Sequence, residues 1–287
     1  MLPTLAVYPA SQLDPRVADE HFAHETAALT RPAPRYDADE ERLLPAARDL
    51  SGEVLLYRGW ILTPDAYARL EAAAVARGAR LLVSAEGYAA SQFGTGWFEA
   101  AAGLTPATEV LKYGATHDDA LAAFDRLATA AREREGEPAA VLKGVSKSLK
   151  HAWDDAMFIP RRERLAAVLD AFRDEVGERE EPLLLLREFE QWQPGELRVF
   201  WAGERPVSIA PHPQTPDAPD PAGLDAMLER LAPVVAGLGA GLVSTDLTRS
   251  AVGEWRLVEI GNGQVSEPSV PFASIAHAAG WGELYSA

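Results

Sequence analysis

The sequence contains no cysteine. Disulfides, thiol catalysis and cysteine-ligated zinc are thereby excluded, and redox compartment leaves no mark on the chain. No stretch approaches the 18 uninterrupted apolar residues of a membrane-spanning helix. The opening residues MLPTLAVYPA lack the basic segment and long apolar run of a secretory signal, so a soluble cytoplasmic protein is expected. Basic excess is also missing. The balance of 27 basic against 43 acidic residues gives a net charge of −16, which argues against nucleic acid or anionic membrane as partner. Lysine is the scarcest charge: only four occur, Lys112, Lys143, Lys147 and Lys150, all in one short window. Elsewhere the chain uses arginine. These lysines are therefore candidates for positions where a compact ammonium on a flexible stem serves better than a guanidinium, as at nucleotide phosphates, with chance clustering as the ordinary alternative.

What the chain does have is 287 residues, enough for one large domain or two to three subdomains with a real core. Its most informative stretch lies near the end. Val243–Leu247 and Trp255–Ile260 are apolar, β-branched runs flanking a polar segment with Gly253, a hairpin pattern. With the loop centred between Val252 and Gly253, Asp246 faces Glu259, at Cβ separations of roughly 4.5–5.5 Å where like charges repel. A divalent cation removes that repulsion, and Mg²⁺ prefers one or two carboxylates together with substrate phosphates; the ordinary alternative is an asymmetric loop with both acids solvated. Asn262, just past the strand, can add a third oxygen.

The rest of the chain supplies context. Leu5–Pro9 and Val54–Tyr57 read as strands, with a helix over 15–29 and a Pro-rich loop over 31–39 between them. Thr63-Pro64 caps a helix over 65–77 that ends at Gly78. Strand–helix–strand order predicts a small α/β domain over 1–105. Arg58, at the carboxyl end of a strand, is a candidate substrate-binding residue, with surface pairing to Asp65 or Glu86 as its ordinary alternative. A second unit begins near 106. Lys112 ends a strand, a helix follows over 117–135, and the strand 139–143 hands Lys143 to the loop 144–151, which carries Lys147 and Lys150. Such a loop can cradle phosphate, although no GxxxxGK[ST] is present. A helix over 161–178, the apolar strand 182–189, the alternating strand 196–201 and a helix over 224–235 follow. Gly237-Leu238-Gly239-Ala240-Gly241 follows a helix and precedes a strand, so it reads as a helix cap and turn rather than a dinucleotide fingerprint.

Taken in order, Lys143, REFE at 187–190, GELRVF at 195–200, STDLT at 244–248 and LVEIGNG at 257–263 resemble the ATP-grasp fold. LDPRVADEHFAHETAA (13–28), VLLYRGWILTP (54–64) and VLKGVSKSLKHAW (141–153) resemble its bacterial and phage clade named for one arginine and two lysines. The resemblance implies an α+β chain: a pre-ATP-grasp α/β domain over 1–105 and an ATP-grasp domain over 106–287, with subdomains 106–186 and 187–287. It implies ATP and Mg²⁺ as cofactors. Lys143 and Lys112 resemble phosphate-side lysines, Arg187, Glu188 and Phe189 the strand that meets the adenine, and Glu196 the ribose acid. Asp246 and Glu259 resemble the metal ligands, and Asn262 is the candidate third ligand, one residue later than the family pattern places it. Arg198 with Lys147 or Lys150 resembles the clade's extra basic residues, and Arg58, Arg198 and Arg249 are candidates to pair with a substrate carboxylate.

Two features depart from the family pattern. Gly261 stands where the third metal ligand usually lies, and KGVSKSLK replaces the usual Gly-rich flap. The implied activity is a ligase that joins a carboxylate to an amine through an acylphosphate, on a small molecule or peptide end. A phosphotransferase and a non-catalytic nucleotide-binding module are the alternatives. A homodimer is compatible with the sequence.

Overall fold

Leu5–Pro9 (β1) is buried along almost its whole length, as expected of a parallel strand covered on both faces. In the computed structural model, which describes residues 2–132, 138–145, 149–176 and 183–286, this strand is the centre of a five-stranded sheet. The chain runs on through α1 (Ala23–Ala27), β2 (Arg35–Asp37), β3 (Arg42–Leu44), β4 (Val54–Tyr57), α2 (Pro64–Val75), β5 (Arg80–Leu81), α3 (Ala85–Gln92) and α4 (Trp97–Ala100). The sheet order is β3-β2-β1-β4-β5, parallel except where β2 meets β3. Because β1 is followed by β2 on one side and β4 on the other, the strand order reverses between β1 and β4. Thr63 caps α2 as expected, accepting a hydrogen bond from the Ala66 amide, and Gly78 takes φ +71° beyond its end.

Two elements differ from expectation. The helix over 15–29 is confined to a 3₁₀ turn at Glu20–Phe22 and α1, because Asp19 caps the turn through the His21 amide. The segment read as a Pro-rich loop contains β2, whose Tyr36 is buried against the sheet.

The middle of the chain contributes β6 (Thr108–Lys112), α5 (His117–Arg132), β7 (Ala140–Gly144), β8 (Phe158–Ile159), α6 (Leu165–Glu175) and β9 (Leu183–Glu188). These strands form an antiparallel sheet of order β6-β9-β7-β8. Phe124, Leu127, Leu165, Val168, Leu169 and Phe172 bring α5 and α6 into one core with Leu142, Leu184 and Leu186 of the sheet. The chain ends with β10 (Leu197–Ala202), β11 (Arg205–Pro211), α7 (Leu224–Gly237), β12 (Leu242–Arg249), β13 (Trp255–Asn262) and α8 (Phe272–Ala278). Its sheet has order β11-β10-β12-β13. The glycine run after α7 is a cap and turn, with Gly239 at φ +64°.

The chain divides into two compact units: Met1–Ser91, Pro194–Thr248 and Val258–Ala287 form one, Gln92–Gln193 and Arg249–Leu257 the other. The first unit is therefore discontinuous. Its core joins Leu56 of β4 to Phe200, Leu242, Phe272, Ile275 and Tyr285. Among the described residues no helix is long and apolar enough to cross a membrane.

Candidate active site

In the first unit, β10 and β12 run antiparallel with Arg198 directly opposite Asp246. Arg198 grips the carboxylate with both arms: Nε donates to Oδ1 and Nη2 to Oδ2, each at 2.8 Å. Its Nη1 donates to the Glu267 carbonyl at 2.9 Å. Burial works against the guanidinium charge, but the hydrogen bonds and attraction of Asp246, with Glu259 and Glu196 adding theirs, hold Arg198 above its ordinary range. Three carboxylates around one guanidinium leave an excess of negative charge. That donor set suits a hard divalent cation.

The structure adds a residue that sequence reading passed over. His212 follows β11, its amide donates to the Glu196 carbonyl at 2.8 Å, and its ring is buried. Ligand atoms of Glu196, His212 and Asp246 lie within 4.8 Å of one another. The histidine sits in Pro211-His212-Pro213, and its two prolines made the segment read as a plain loop.

The β12–β13 turn differs from expectation by one residue. The Ser250 amide donates to the Glu254 carbonyl at 2.8 Å, and the Gly253 amide to the Ser250 carbonyl at 2.9 Å. Three residues therefore separate the paired positions, and Gly253, at φ +85°, is the bulge residue. The centring that set Asp246 directly against Glu259 does not hold at the turn. Glu259 nonetheless acts on Arg198, the partner of Asp246. Asn262 is fully buried; its amide donates to Ser91 Oγ at 2.8 Å and its Oδ1 accepts from the Gln264 amide at 3.0 Å.

Arg58 is also buried, and not at the surface against Asp65 or Glu86. It donates from Nε and Nη2 to Glu25, both at 3.0 Å, and from Nη1 to the Gln264 carbonyl at 2.8 Å, with its guanidinium 4.6 Å from the Phe272 ring centre.

The second unit holds the remaining candidates. Lys143 lies in β7 opposite Leu185, on the half-buried face it shares with Val141. Lys112 ends β6, exposed. Glu188 is buried at the end of β9. Phe189 packs edge-on against Phe158 at 4.9 Å, next to Trp153. Arg187 donates to Thr105 Oγ1 at 2.8 Å and lies over the Phe98 ring. Arg249 lies 4.9 Å from the Trp255 ring centre and donates to the Gly253 carbonyl at the hairpin tip. Lys147 falls outside the described residues, as does the side chain of Lys150, whose backbone opens a 3₁₀ turn.

Residues 123–284 match the family model of an ATP-grasp domain, the third family of the clade named for one arginine and two lysines. That is more than half of the chain. The chain belongs to this ATP-grasp clade. ATP and Mg²⁺ are the cofactors expected of such a protein. No curated protein matches it. Among solved structures, a RimK domain protein ATP-grasp from Sphaerobacter thermophilus is 20% identical, with 98% of each chain covered and a TM-score of 0.56. The D-cycloserine synthetase DcsG is 16% identical, covering 96% of this chain and 98% of its own, with a TM-score of 0.61. The ATP-grasp ligase PsnB, complexed with minimal precursor, Mg and ADP, is 12% identical, with 97% of each chain covered and a TM-score of 0.61. At these identities the likeness is one of fold, and the fold is ATP-grasp.

Proposed function

We propose that this ATP-grasp protein is an ATP- and Mg²⁺-dependent ligase that joins a carboxylate to an amine through an acylphosphate, on a small molecule or a peptide end. The observation that carries the reading is the Arg198–Asp246 pair, with Glu196 just before β10 and Glu259 on β13 acting on the same guanidinium. In the first unit, Asp246 and Glu259 would hold the metal, which neutralises phosphate charge when bound. In the second, Lys143 and Lys112 would contact phosphate oxygens, and Phe189, with its aromatic neighbours Phe158 and Trp153, would offer an apolar face to the adenine. Lys147 and Lys150 remain proposed active-site cations, while Arg58, Arg187 and Asn262 already serve the packing of their own units.

The reaction asks little covalent work of the protein. A substrate carboxylate oxygen attacks the γ-phosphorus and the bond to ADP breaks. The amine then attacks the acyl carbon, phosphate departs with its oxygen, and the amine gives up a proton. Positioning and charge neutralisation supply the acceleration. Hydroxylamine tests this reading, since it captures acylphosphates as hydroxamates. Incubation with ATP, Mg²⁺ and a panel of carboxylates and peptides should yield a hydroxamate with one class of carboxylate. A stable phosphorylated product formed without any dependence on amine would instead make the protein a phosphotransferase.

A further inference from the structure

Trp60 follows Arg58-Gly59 just past the carboxyl end of β4, and 47% of its surface faces water. The strand order of the sheet reverses between β1 and β4, and open α/β sheets bind ligands outside the carboxyl ends of such strands. An exposed tryptophan is ordinarily free to swing, but this one is held. Its Nε1 donates to Asp19 Oδ2 at 3.2 Å, and its ring centre lies 4.6 Å from that of His21 and 5.4 Å from that of Phe22. Asp19 is fixed in turn, since its Oδ1 accepts from the His21 amide at 2.9 Å and its own amide donates to the Pro9 carbonyl at 2.9 Å. Phe22 is buried against Tyr8 of β1. The segments that leave β1 and β4 are thereby joined side by side within the first unit. A rigid, half-exposed indole is the kind of group on which binding energy concentrates.

The unpaired charge beside the ring is negative. Among the described residues no basic side chain pairs with Asp19 or Glu20. Arg16 binds Asp14 instead, Arg35 also acts on Asp14, and Arg58 binds Glu25. An indole face attracts a cation through its quadrupole, a guanidinium more often than an ammonium. Val17 and Ile61, on the same two segments, are exposed as well and offer apolar contacts to what flanks that cation. Charge disfavours other occupants. A second copy would bring the same carboxylates to this face, and a chain of net charge −16 repels nucleic acid and anionic lipid.

We propose that Trp60, with Asp19 and Glu20 beside it, forms a subsite for a basic side chain of a peptide, and that the substrate of the ligase is a peptide carrying such a residue among apolar ones. The subsite rests on this geometry. Its assignment to the substrate rests on the ligase reading above and narrows it from a small molecule or peptide end to a basic peptide.

Calorimetry on the full chain without nucleotide tests the subsite. The probes are N-acetylated, C-amidated Leu-Arg-Leu, its citrulline counterpart, which keeps the shape of arginine without the charge, and Leu-Glu-Leu. The arginine peptide should bind about fivefold more tightly than the citrulline peptide, and the glutamate peptide most weakly. Trp60→Leu, which keeps an apolar side chain without a π face, should lose the advantage. Trp60→Tyr should keep most of it, and unchanged melting temperatures certify both folds. Equal binding of the arginine and citrulline peptides by the wild type would overturn the subsite whatever the variants do. An advantage that survives Trp60→Leu would overturn it too. A dimer in sedimentation that Trp60→Leu dissociates would assign this face to a second copy and likewise overturn it. The ligase reading fails separately: binding of the arginine peptide with no hydroxamate from its form with a free carboxylate would remove the ligase and leave the subsite.

Discussion

Asp246 is held by Arg198 through two parallel hydrogen bonds of 2.8 Å, across strands that set the two residues opposite each other. The side chains are only 13% and 10% exposed, so the pair is largely removed from water. Such a pair adds little when intact, but removal of one member strands the other, at a cost of about 3–5 kcal/mol. Arg198→Ala should therefore be clearly destabilised in chelator. Mg²⁺ should restore more stability to this variant than it gives the wild type, because the cation replaces the lost positive charge. Urea unfolding with and without Mg²⁺ measures both effects; equal Mg²⁺ responses would mean that Asp246 does not hold the metal.

Glu259→Gln tests the other side of the same charge balance. Glu259, Glu196 and Asp246 all act on one guanidinium. Removal of one negative charge should leave the metal-free protein as stable as the wild type or slightly more so, while abolishing product formation. A clear drop in metal-free melting temperature would assign Glu259 a structural hydrogen bond in place of metal binding.

Lys143 occupies a strand position whose neighbours Leu142 and Gly144 are buried, so its backbone is fixed while its ammonium lies on the half-buried face. Lys143→Ala should fold normally. ATP with Mg²⁺ should raise its melting temperature less than that of the wild type, since binding to the native state stabilises by mass action. Identical shifts in thermal scans would remove Lys143 from the nucleotide.

Gly195 and Gly203 flank β10, and both have positive φ, +89° and +62°. A Cβ on Gly203 meets nothing within 4 Å, whereas one on Gly195 would lie 2.1 Å from the Asp217 carbonyl oxygen. Gly203→Ala should cost about 1 kcal/mol, the strain of a left-handed conformation alone. Gly195→Ala should cost about 2–4 kcal/mol and also lower activity, because the chain that must give way continues directly from His212. Equal costs in denaturant titrations would mean that the 212–221 segment yields freely.

Burial pushes up the phenols of Tyr8, Tyr36, Tyr57, Tyr67, Tyr88 and Tyr285. The native state thus holds these protons more tightly than the unfolded chain, whose tyrosines titrate near about 10. Their contribution to stability is complete below that pH and falls as pH rises above it. Phenolate absorbance should lag behind that of free tyrosine in the folded protein, then rise in one step together with loss of circular dichroism. A smooth titration of all seven tyrosines near pH 10 in the folded protein would contradict the buried placement.

The legible parts of this protein were those fixed by local chemistry. Thr63-Pro64 and Gly78 bounded α2 because capping and left-handed turns depend on neighbouring residues. The glycine run after α7 was separable from a nucleotide loop by element order alone. The family resemblance was legible because ordered strand-end motifs carry it. What escaped depended on distant partners. Glu25, which neutralises Arg58, lies 33 residues away, and nothing in the strand VLLYR signals it. The β12–β13 turn slipped because Gly253 spends its positive φ on a bulge, which shifts the pairing by one. His212 was invisible because its meaning comes from Arg198 on the next strand.

The way the first unit closes on itself has a consequence for biosynthesis. Tyr285 pairs hydroxyl to hydroxyl with Tyr8 at 2.8 Å, and the chain around it is stitched to Ala28 and Thr30. Phe272 and Ile275 cover Leu56 of the N-terminal sheet. During translation the strands β1 and β4 therefore lack this cover until residues 272–285 have been made. The intervening segment 92–193, whose helices and antiparallel strands share a core of their own, can collapse while it waits. The sheet around β1 and β4 is therefore completed only after the 92–193 segment that follows it in the chain, although its strands are made before that segment.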